Sequence, residues 1–319
     1  MTCSNSVVPA TLPPNAARKR ERIGFFLALG SAALFSLKGV VVKLGLSHGT
    51  SVEVLMLWRM GLALPAYLVV GYFSFRQLAS DDRPKPRTIA AAAALGVLSY
   101  YICTWLDFTG MRYISAQLER MVLFTYPILT ALLSWVLLGE RFTRQHAVAL
   151  VLSYAGVLLV FGAEVRSIGP GAGWGIALVF AAAFLFAFYV IYAKPIINDL
   201  GSKLFTCVAM IAATGAIVTH NLTTLVATGQ PVATVFSLSA VIAGIVLAVF
   251  CTVLPSFMLS EAISRIGASR TSAAGNVGPV VTTVLAVWIL KEPFGIAQAS
   301  GLVLILLGVG LVGRIKKPA

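Results

Sequence analysis

Five ionisable residues stand inside or at the edge of long apolar stretches, where an isolated charge is costly. They are Lys38, Arg59, Asp107, Glu119 and Arg120. With about 1.5 Å of rise per helical residue, Lys38 lies roughly 12 Å below the outer end of its stretch, beyond the reach of its side chain to water. The same arithmetic places Arg59, Glu119 and Arg120 at depths of about 8 to 10 Å. Charges at such depths cost about 2.5 to 3.5 kcal/mol on insertion scales, so we expect them to face a helix-bundle interior or a wet cavity.

The charge balance of this layer favours an anionic ligand. Glu119 can neutralise one of the three cations, and Asp107, at the outer end of its apolar stretch, can neutralise a second. One or two positive charges are then left for a ligand that carries a carboxylate or phosphate. The alternative is an ion-pair network that locks the ends of three helices. In a proton-coupled version, Glu119 or Asp107 would be the titrating group, because a buried carboxyl group can hold its proton near neutral pH.

Aromatic residues supply further binding candidates. Tyr101 and Trp105 share one helical face, and Phe188 and Tyr189 lie in a later apolar stretch. Aromatic faces on membrane helices usually contact lipid or pack against neighbouring helices. The functional alternative is a stacking wall for aromatic or purine-like substrates.

The composition is that of a membrane protein. Hydrophobic residues make up 59% of the 319 residues and charged residues 11%, whereas a soluble domain is about 25% charged. Runs of roughly 17 to 25 apolar residues can cross a bilayer as helices. We therefore predict an all-α membrane protein with ten transmembrane helices: 24–46, 52–73, 88–106, 114–138, 147–163, 173–193, 203–226, 236–259, 271–290 and 295–313.

Nucleic-acid, metal and enzyme functions find little support in the sequence. The net charge of +13 is spread between apolar runs, so it does not indicate a nucleic-acid partner. The four cysteines and three histidines are scattered, without CxxC or HExxH spacing, and we expect no metal and no cofactor. An intramembrane enzyme remains a remote alternative, because no histidine is expected at mid-depth and neither GxSxG nor HExxH occurs.

The Lys and Arg residues predict the orientation of the chain. Residues 1–22 are expected to form a disordered arm and residues 314–319 a short tail, and an even number of spans puts both on one side. Most Lys and Arg residues outside the spans fall on that side, while Arg112, Arg166 and Lys291 fall on the other. Cytoplasmic segments retain positive residues, so we predict a multi-pass protein of the inner membrane with both termini cytoplasmic.

The sequence also repeats itself at a distance of 152 residues. Over residues 114–160, 16 of 47 positions find an identical partner at this shift, among them Glu140 with Glu292. We predict two five-helix repeats, at 23–163 and 164–313. Because five is odd, the second repeat starts on the opposite face of the membrane and is inverted. Inverted repeats are typical of secondary transporters that expose one site to each side in turn.

Two prolines match across the repeats. Pro127 and Pro279 each remove a backbone hydrogen bond within a predicted span and should kink it. Their common position favours a role as hinges or as breaks that line a cavity.

These features resemble the EamA-type members of the drug/metabolite transporter superfamily. The resemblance rests on the five-plus-five layout, the matched prolines and the two closing signatures LLGERFTRQHAVALVLSYAGVLLV and ILKEPFGIAQASGLVLILLGVGLV. It implies a ten-helix transporter, commonly one that exports amino acids or related metabolites, with some members importing. Aromatic amino acid exporters are one branch of this family.

The sequence thus predicts a secondary active transporter that moves small metabolites across the cytoplasmic membrane by alternating access. Amino acids, including aromatic ones, are the favoured substrates and export the favoured direction. The alternative is an importer or exchanger of other organic anions, purine-like metabolites or drugs. The expected partners are a small-molecule substrate and the lipid bilayer, and the sequence leaves the oligomeric state open.

Overall fold

A computed structural model describes residues 14–77, 84–139, 143–168, 171–228, 236–275 and 277–314. All regular secondary structure in these ranges is helical. The α-helices are α1 (Pro14–Ser47), α2 (Val52–Arg76), α3 (Pro86–Gly96), α4 (Thr104–Gly110), α5 (Ala116–Leu123), α6 (Tyr126–Leu138), α7 (Arg144–Ile168), α8 (Ala172–Leu200), α9 (Ser202–Thr228), α10 (Leu238–Ala248), α11 (Leu254–Gly275), α12 (Gly278–Ile289) and α13 (Ile296–Arg314). The all-α prediction is confirmed for this part of the chain.

Eight helical runs within the described residues are long and apolar enough to cross a membrane. Two shorter apolar helices, Gly278–Ile289 and Ile296–Leu311, follow them. A multi-pass membrane protein is therefore confirmed, while the count of ten spans stays a prediction.

The start of α1 corrects the predicted disordered arm. Helix α1 begins at Pro14, so residues 14–22 are helical. Proline is well tolerated in a first helical turn, and the Ala, Arg, Lys and Glu residues that follow have high helix propensity. The apolar run beyond residue 22 therefore extends backwards as one helix. The rest of the predicted arm, residues 1–13, lies outside the described residues.

Two expected spans are joined by one helix. Span boundaries were predicted at residues 259 and 271, but α11 is helical from Leu254 to Gly275. Gly24 of α1 lies against Ile266, whereas Gly278 lies beside Ser36, about 18 Å further along α1. The chain has therefore doubled back along α1 by the time α12 begins.

Each half contains a π-helical segment at a matching position. Val97–Cys103 joins α3 to α4, and Val249–Val253 joins α10 to α11. The two segments begin 152 residues apart. Segments of this kind interrupt the regular backbone bonding of a helix and are frequent at functional sites.

Each half also contains a break before its matched proline. Helix α5 ends at Leu123 and α6 begins at Tyr126, with Pro127 in its first turn. Helix α12 likewise begins at Gly278, with Pro279 in its first turn. The kinks expected within a span are thus breaks between helices, because a missing N–H costs nothing in a first turn. The hinge role of these prolines stays a prediction.

Glycine contacts between the two halves are reciprocal. A methyl group on Gly24 would lie 2.6 Å from Cγ2 of Ile266, and one on Gly175 would lie 2.8 Å from Cγ2 of Ile114. Gly24 matches Gly175 in the repeat, and Ile114 matches Ile266. Each half therefore presents the same glycine to the same isoleucine of the other half.

Helices α7 and α13 meet in the same reciprocal way. A methyl group on Gly156 would lie 2.7 Å from the carbonyl oxygen of Gly301, and one on Gly308 would lie 2.7 Å from that of Ala149. Gly156 and Gly308 are repeat partners, as are Ala149 and Gly301. The most extensive helix contacts of the described chain join α7 to α13, α1 to α11 and α2 to α9. The halves are therefore interlocked around a shared core.

Candidate functional site

Three of the predicted ionisable residues form a buried triad. Lys38 from α1 lies between Asp107 from α4 and Glu119 from α5, with its Nζ 2.6 Å from Oδ2 of Asp107 and 3.5 Å from Oε1 of Glu119. The side chains are 13%, 5% and 0% exposed, respectively. Both carboxylates therefore serve one ammonium group, whereas one carboxylate for each of two cations was expected.

Small residues allow these helices to approach closely. A methyl group on Gly39 would lie 3.2 Å from Oε2 of Glu119 and 3.8 Å from Cβ of Ala116. Helix α5 thus packs directly on the backbone of α1 beside the triad. Oδ1 of Asp107 and Oε2 of Glu119 are buried and have no hydrogen-bond partner among the described residues. The triad therefore holds two carboxyl oxygens that remain available to a proton or a polar ligand.

Arg59 lies beside the triad but is held by neutral groups. It is 7% exposed, and its Nε donates to Oγ1 of Thr252 at 2.8 Å. Thr252 stands in the π-helical segment of the second half and donates to the carbonyl of Leu247 at 2.8 Å. The π segment therefore directs a hydroxyl oxygen towards a guanidinium of the other half.

The ring of Phe108 lies close to both Arg59 and Lys38. Nζ of Lys38 lies 5.7 Å and Cζ of Arg59 5.8 Å from the ring centroid, and Phe108 is fully buried. Cations at such distances are attracted to an aromatic face. Phe108 thus lies near two like charges of the same layer. It directly follows Asp107 in the sequence but was not among the residues expected at the site.

Arg120 reaches the first residue of a helix in the second half. A methyl group on Gly278 would lie 2.8 Å from Nη2 of Arg120 and 3.4 Å from Oγ of Ser36. The hydroxyl of Ser36 is shared between the carbonyl of Ala32 at 2.7 Å and that of Gly278 at 3.0 Å. The carbonyl of Ser36 accepts from Thr282 at 3.2 Å, so polar contacts join α12 to α1. Nε of Arg120 is buried and has no hydrogen-bond partner in the described chain.

Two guanidinium groups thus remain without a carboxylate. Among the described residues, no carboxylate oxygen lies within 4.0 Å of a nitrogen of Arg59 or Arg120. Arg59 and Arg120 are therefore the candidates for the unpaired positive charge that the sequence led us to expect. We name Lys38, Arg59, Asp107, Glu119 and Arg120 the charged layer.

The aromatic candidates fall into separate groups. The hydroxyl of Tyr101 lies 3.0 Å from Nδ1 of His220, and the ring of Trp105 packs edge-on against the same imidazole at 6.3 Å. His220 was one of three histidines described as scattered in the sequence, because its partners stand on another helix. Tyr189 instead contacts Tyr100, their hydroxyl oxygens being 3.4 Å apart.

Phe188 belongs to a stripe on the surface of α8. Its ring lies 5.2 Å from that of Phe184 and is parallel to that of Tyr192 at 6.4 Å. Phe184 is 36% and Tyr192 47% exposed. These exposures fit the lipid-facing alternative for the stripe.

The family follows from comparison with known proteins. The model of the EamA-like transporter family matches residues 22–162 and again residues 173–314. The chain belongs to the EamA-like transporter family. This EamA-like protein is a membrane transporter rather than an enzyme, and the aromatic exporter branch receives no separate support.

Relatives and a solved structure agree with this placement. The EamA-like chain is 25% identical over 277 residues to the uncharacterized transporter YcbK of Bacillus subtilis, covering 86% of this chain and 88% of the relative. It is 26% identical over 259 residues to the uncharacterized transporter YyaM of the same organism, covering 79% and 81%. A solved structure, titled only as the crystal structure of a protein, matches 90% of this chain and 95% of its own at 15% identity. Its TM-score of 0.62 shows a shared fold.

Proposed function

We propose that this EamA-like protein is a secondary active transporter of small metabolites that carry a carboxylate. Amino acids are the first class to test and export is the favoured direction. The observation that carries the proposal is the pair of guanidinium groups, Arg59 and Arg120, that no carboxylate of the described chain neutralises. Guanidinium groups bind carboxylates through paired, charge-assisted hydrogen bonds.

Arg120 is better placed than Arg59 to bind a substrate carboxylate. It lies against Gly278 at the N-terminus of α12, where the helix dipole also attracts negative charge. The site brings together one helix from each half of the chain, as expected where substrate binds between repeats. An aromatic amino acid would need a ring partner as well, and Tyr126, six residues beyond Arg120, is a candidate that already contacts the ring of Phe186 at 5.0 Å.

Alternating access would follow from an inverted arrangement of the two halves. A two-fold axis produces contacts in pairs: where residue i of one half contacts residue j of the other, their repeat partners contact each other in the same way. The reciprocal glycine contacts, the paired π-helical segments and the paired helix breaks all support such an axis. With the axis in the membrane plane, one sequence in two orientations gives similar energies to the outward-open and inward-open forms.

The proposed orientation follows the distribution of basic residues. Both termini would be cytoplasmic in the inner membrane, because Lys and Arg concentrate at residues 18–22 near the start of α1, in the loops that follow the even-numbered spans and at residues 314–317. The charged layer would then lie in the outer half of the bilayer.

Counterflow in proteoliposomes tests the proposal. Labelled amino acids, organic anions without an amino group, purines and cationic drugs would be offered in turn, with and without an opposing gradient. We expect saturable exchange of carboxylate-bearing solutes. Arg120→Gln and Arg59→Gln should abolish this exchange while purified protein yield and melting temperature are kept, and Arg120→Lys should retain part of it.

Arg144→Gln provides the matched control, because Arg144 is exposed at the start of α7. It should exchange as the unmodified protein does. Unmodified carboxylate exchange in both Arg59→Gln and Arg120→Gln contradicts the proposed substrate class, and linear flux that no gradient accelerates contradicts the transport mechanism.

A further inference from the structure

Helix α5 carries both Glu119 and Arg120, so whatever fixes α5 also fixes these side chains. The helix is only eight residues long, Ala116–Leu123. Helices this short are not stable alone, and their first four N–H groups have no partner within the helix. The position of α5 therefore depends on the groups that meet its N-terminus.

Ser115 accepts a hydrogen bond from one of these four groups and also accepts the first regular bond of the helix. Its Oγ accepts from the N–H of Leu118 at 3.0 Å, and its carbonyl accepts from the N–H of Glu119 at 3.0 Å. This is an ordinary N-cap, supplied by the residue that precedes the helix.

Glu292, in the second half of the chain, accepts from two more of these groups. Its Oε1 accepts from the N–H of Ala116 at 2.7 Å, and its Oε2 accepts from the N–H of Gln117 at 3.2 Å. The side-chain amide of Gln117 also donates to the carbonyl of Pro293 at 3.3 Å. A carboxylate at a helix N-terminus is favoured by the helix dipole as well as by these bonds.

The backbone around Glu292 is fixed in an unusual turn. Lys291 has a φ of 57°, in the left-handed region that non-glycine residues rarely adopt. The N–H groups of Leu290 and Glu292 both donate to the carbonyl of Ala286, at 3.0 and 3.2 Å. This turn ends α12 and points the carboxylate at α5. A strained backbone conformation persists where the surrounding contacts hold it in place.

We propose that Glu292 is a positioning residue for transport. By completing the cap of α5 across the two halves, it holds Arg120 against Gly278 and Glu119 beside Lys38. It touches no substrate and acts through α5. This inference rests on the proposed function. It states that Glu292, which lies outside the anion site, determines the geometry of that site.

Amide hydrogen exchange tests the positioning itself, independently of transport. In Glu292→Ala we expect the amides of Ala116 and Gln117 to exchange roughly 2- to 30-fold faster, the range that corresponds to a lost N-cap. Glu292→Gln keeps oxygen as an acceptor for one bond and should give a smaller increase. Glu261→Ala is the control, because Glu261 is exposed and forms an ion pair with Arg265, four residues along the same helix.

Transport kinetics test the consequence for the site. The assay uses a carboxylate substrate identified by counterflow. Glu292→Ala should raise KM, and the fold increase in KM should be at least as large as the fold decrease in maximal rate. Glu292→Gln should fall between Glu292→Ala and the unmodified protein in both readouts, and it keeps the inference testable if Glu292→Ala does not fold.

Two results would overturn the inference: unchanged exchange at Ala116 and Gln117 in both Glu292 variants, or faster exchange with unchanged KM. Failure of the proposed function is distinguishable from either. If Arg120→Gln exchanges carboxylates normally, Arg120 is not the anion site, while the exchange rates still decide whether Glu292 positions α5.

Discussion

The charged layer and its repeat counterpart share a backbone plan but differ in every residue. Lys38 matches Tyr189, Arg59 matches Met210, Asp107 matches Leu259, Glu119 matches Thr271 and Arg120 matches Ser272. Around these positions the packing is duplicated, as the reciprocal glycine contacts and the two π-helical segments show. The scaffold is therefore symmetric, whereas the charges occur in one half.

This difference weakens the purely structural explanation of the charged layer. If ion pairs were needed to hold three helices of this plan together, the second half would need them as well. Tyr189 instead contacts its neighbours through its hydroxyl, 3.4 Å from that of Tyr100, and through its ring, 5.4 Å from that of Phe186. A buried ion pair is in any case weak evidence for stability, because desolvation offsets its attraction. We therefore propose that the charges bind a ligand or a proton.

Removal of Lys38 should have the largest effect. Lys38→Met leaves two buried carboxylates without a cation, and breaking a buried pair in this way costs about 3 to 5 kcal/mol. We expect a strongly lowered melting temperature and no transport. Tyr189→Phe, the change at the counterpart position, removes one hydroxyl contact and should cost about 1 kcal/mol.

Neutral partners should rescue the stability lost with Lys38. The triple variant Lys38→Met, Asp107→Asn, Glu119→Gln contains no uncompensated charge and should regain much of the melting temperature while remaining inactive. A Lys38→Met protein as stable as the unmodified one contradicts the triad geometry.

Glu119→Gln should have the next largest effect, on proton coupling. Glu119 is faced by Lys38 from α1, by Asp107 from α4 and by Arg120 on its own helix. With an amide at this position, Lys38 keeps a carboxylate partner in Asp107, so we expect a stable protein. Transport by the unmodified protein should slow when the pH gradient is collapsed, and transport by Glu119→Gln should not respond.

Asp107→Asn is the companion variant for this test. If it responds to the gradient as the unmodified protein does, the proton site is Glu119 alone. Identical responses of the unmodified protein and Glu119→Gln would remove proton coupling at Glu119.

The sequence allows a prediction of the depth of these charges but not of their pairing. Depth is counted in residues along one helix, as for Lys38 and Arg59, and it stays a prediction. Pairing depends on which helices meet, and Lys38, Asp107 and Glu119 are brought together only by tertiary packing. The same reason hid the bond from Arg59 to Thr252, 193 residues away.

Contacts that cross between the halves escaped sequence analysis altogether. Glu292 was noticed only as the repeat partner of Glu140, which lies outside the described residues. Its role at the N-terminus of α5 depends on the loop after α12 lying beside α5. The breaks at Pro127 and Pro279, by contrast, were partly foreseeable, because proline removes a backbone donor wherever it stands.

The duplicated packing gives a third prediction, of intermediate size. Gly156→Ala and Gly308→Ala each place a methyl group 2.7 Å from a backbone carbonyl oxygen of the opposite helix. Overpacking of this kind costs about 1 to 3 kcal/mol, and the reciprocal contacts predict similar losses in the two halves. Gly162→Ala and Gly310→Ala, which meet no atom within 4 Å, are the controls and should not lower the melting temperature. A loss confined to one half contradicts the symmetric scaffold.

The smallest effect is expected at the helix end where the two repeats carry different residues, Gly139 and Lys291. Gly139 ends α6 with a φ of 67°, and Lys291 occupies the matching position after α12 with a φ of 57°. Glycine adopts this conformation freely, whereas other residues pay about 1 to 2 kcal/mol. Lys291→Gly should therefore raise stability by up to about 1 kcal/mol, since greater freedom of the unfolded chain offsets part of the gain. Gly139→Ala should lower it by about 1 kcal/mol. Denaturation of both variants in the same detergent checks the opposite signs. If Lys291→Gly also leaves KM unchanged, the turn that aims Glu292 at α5 does not need the lysine side chain, and its strain is a consequence of the geometry rather than a requirement for it.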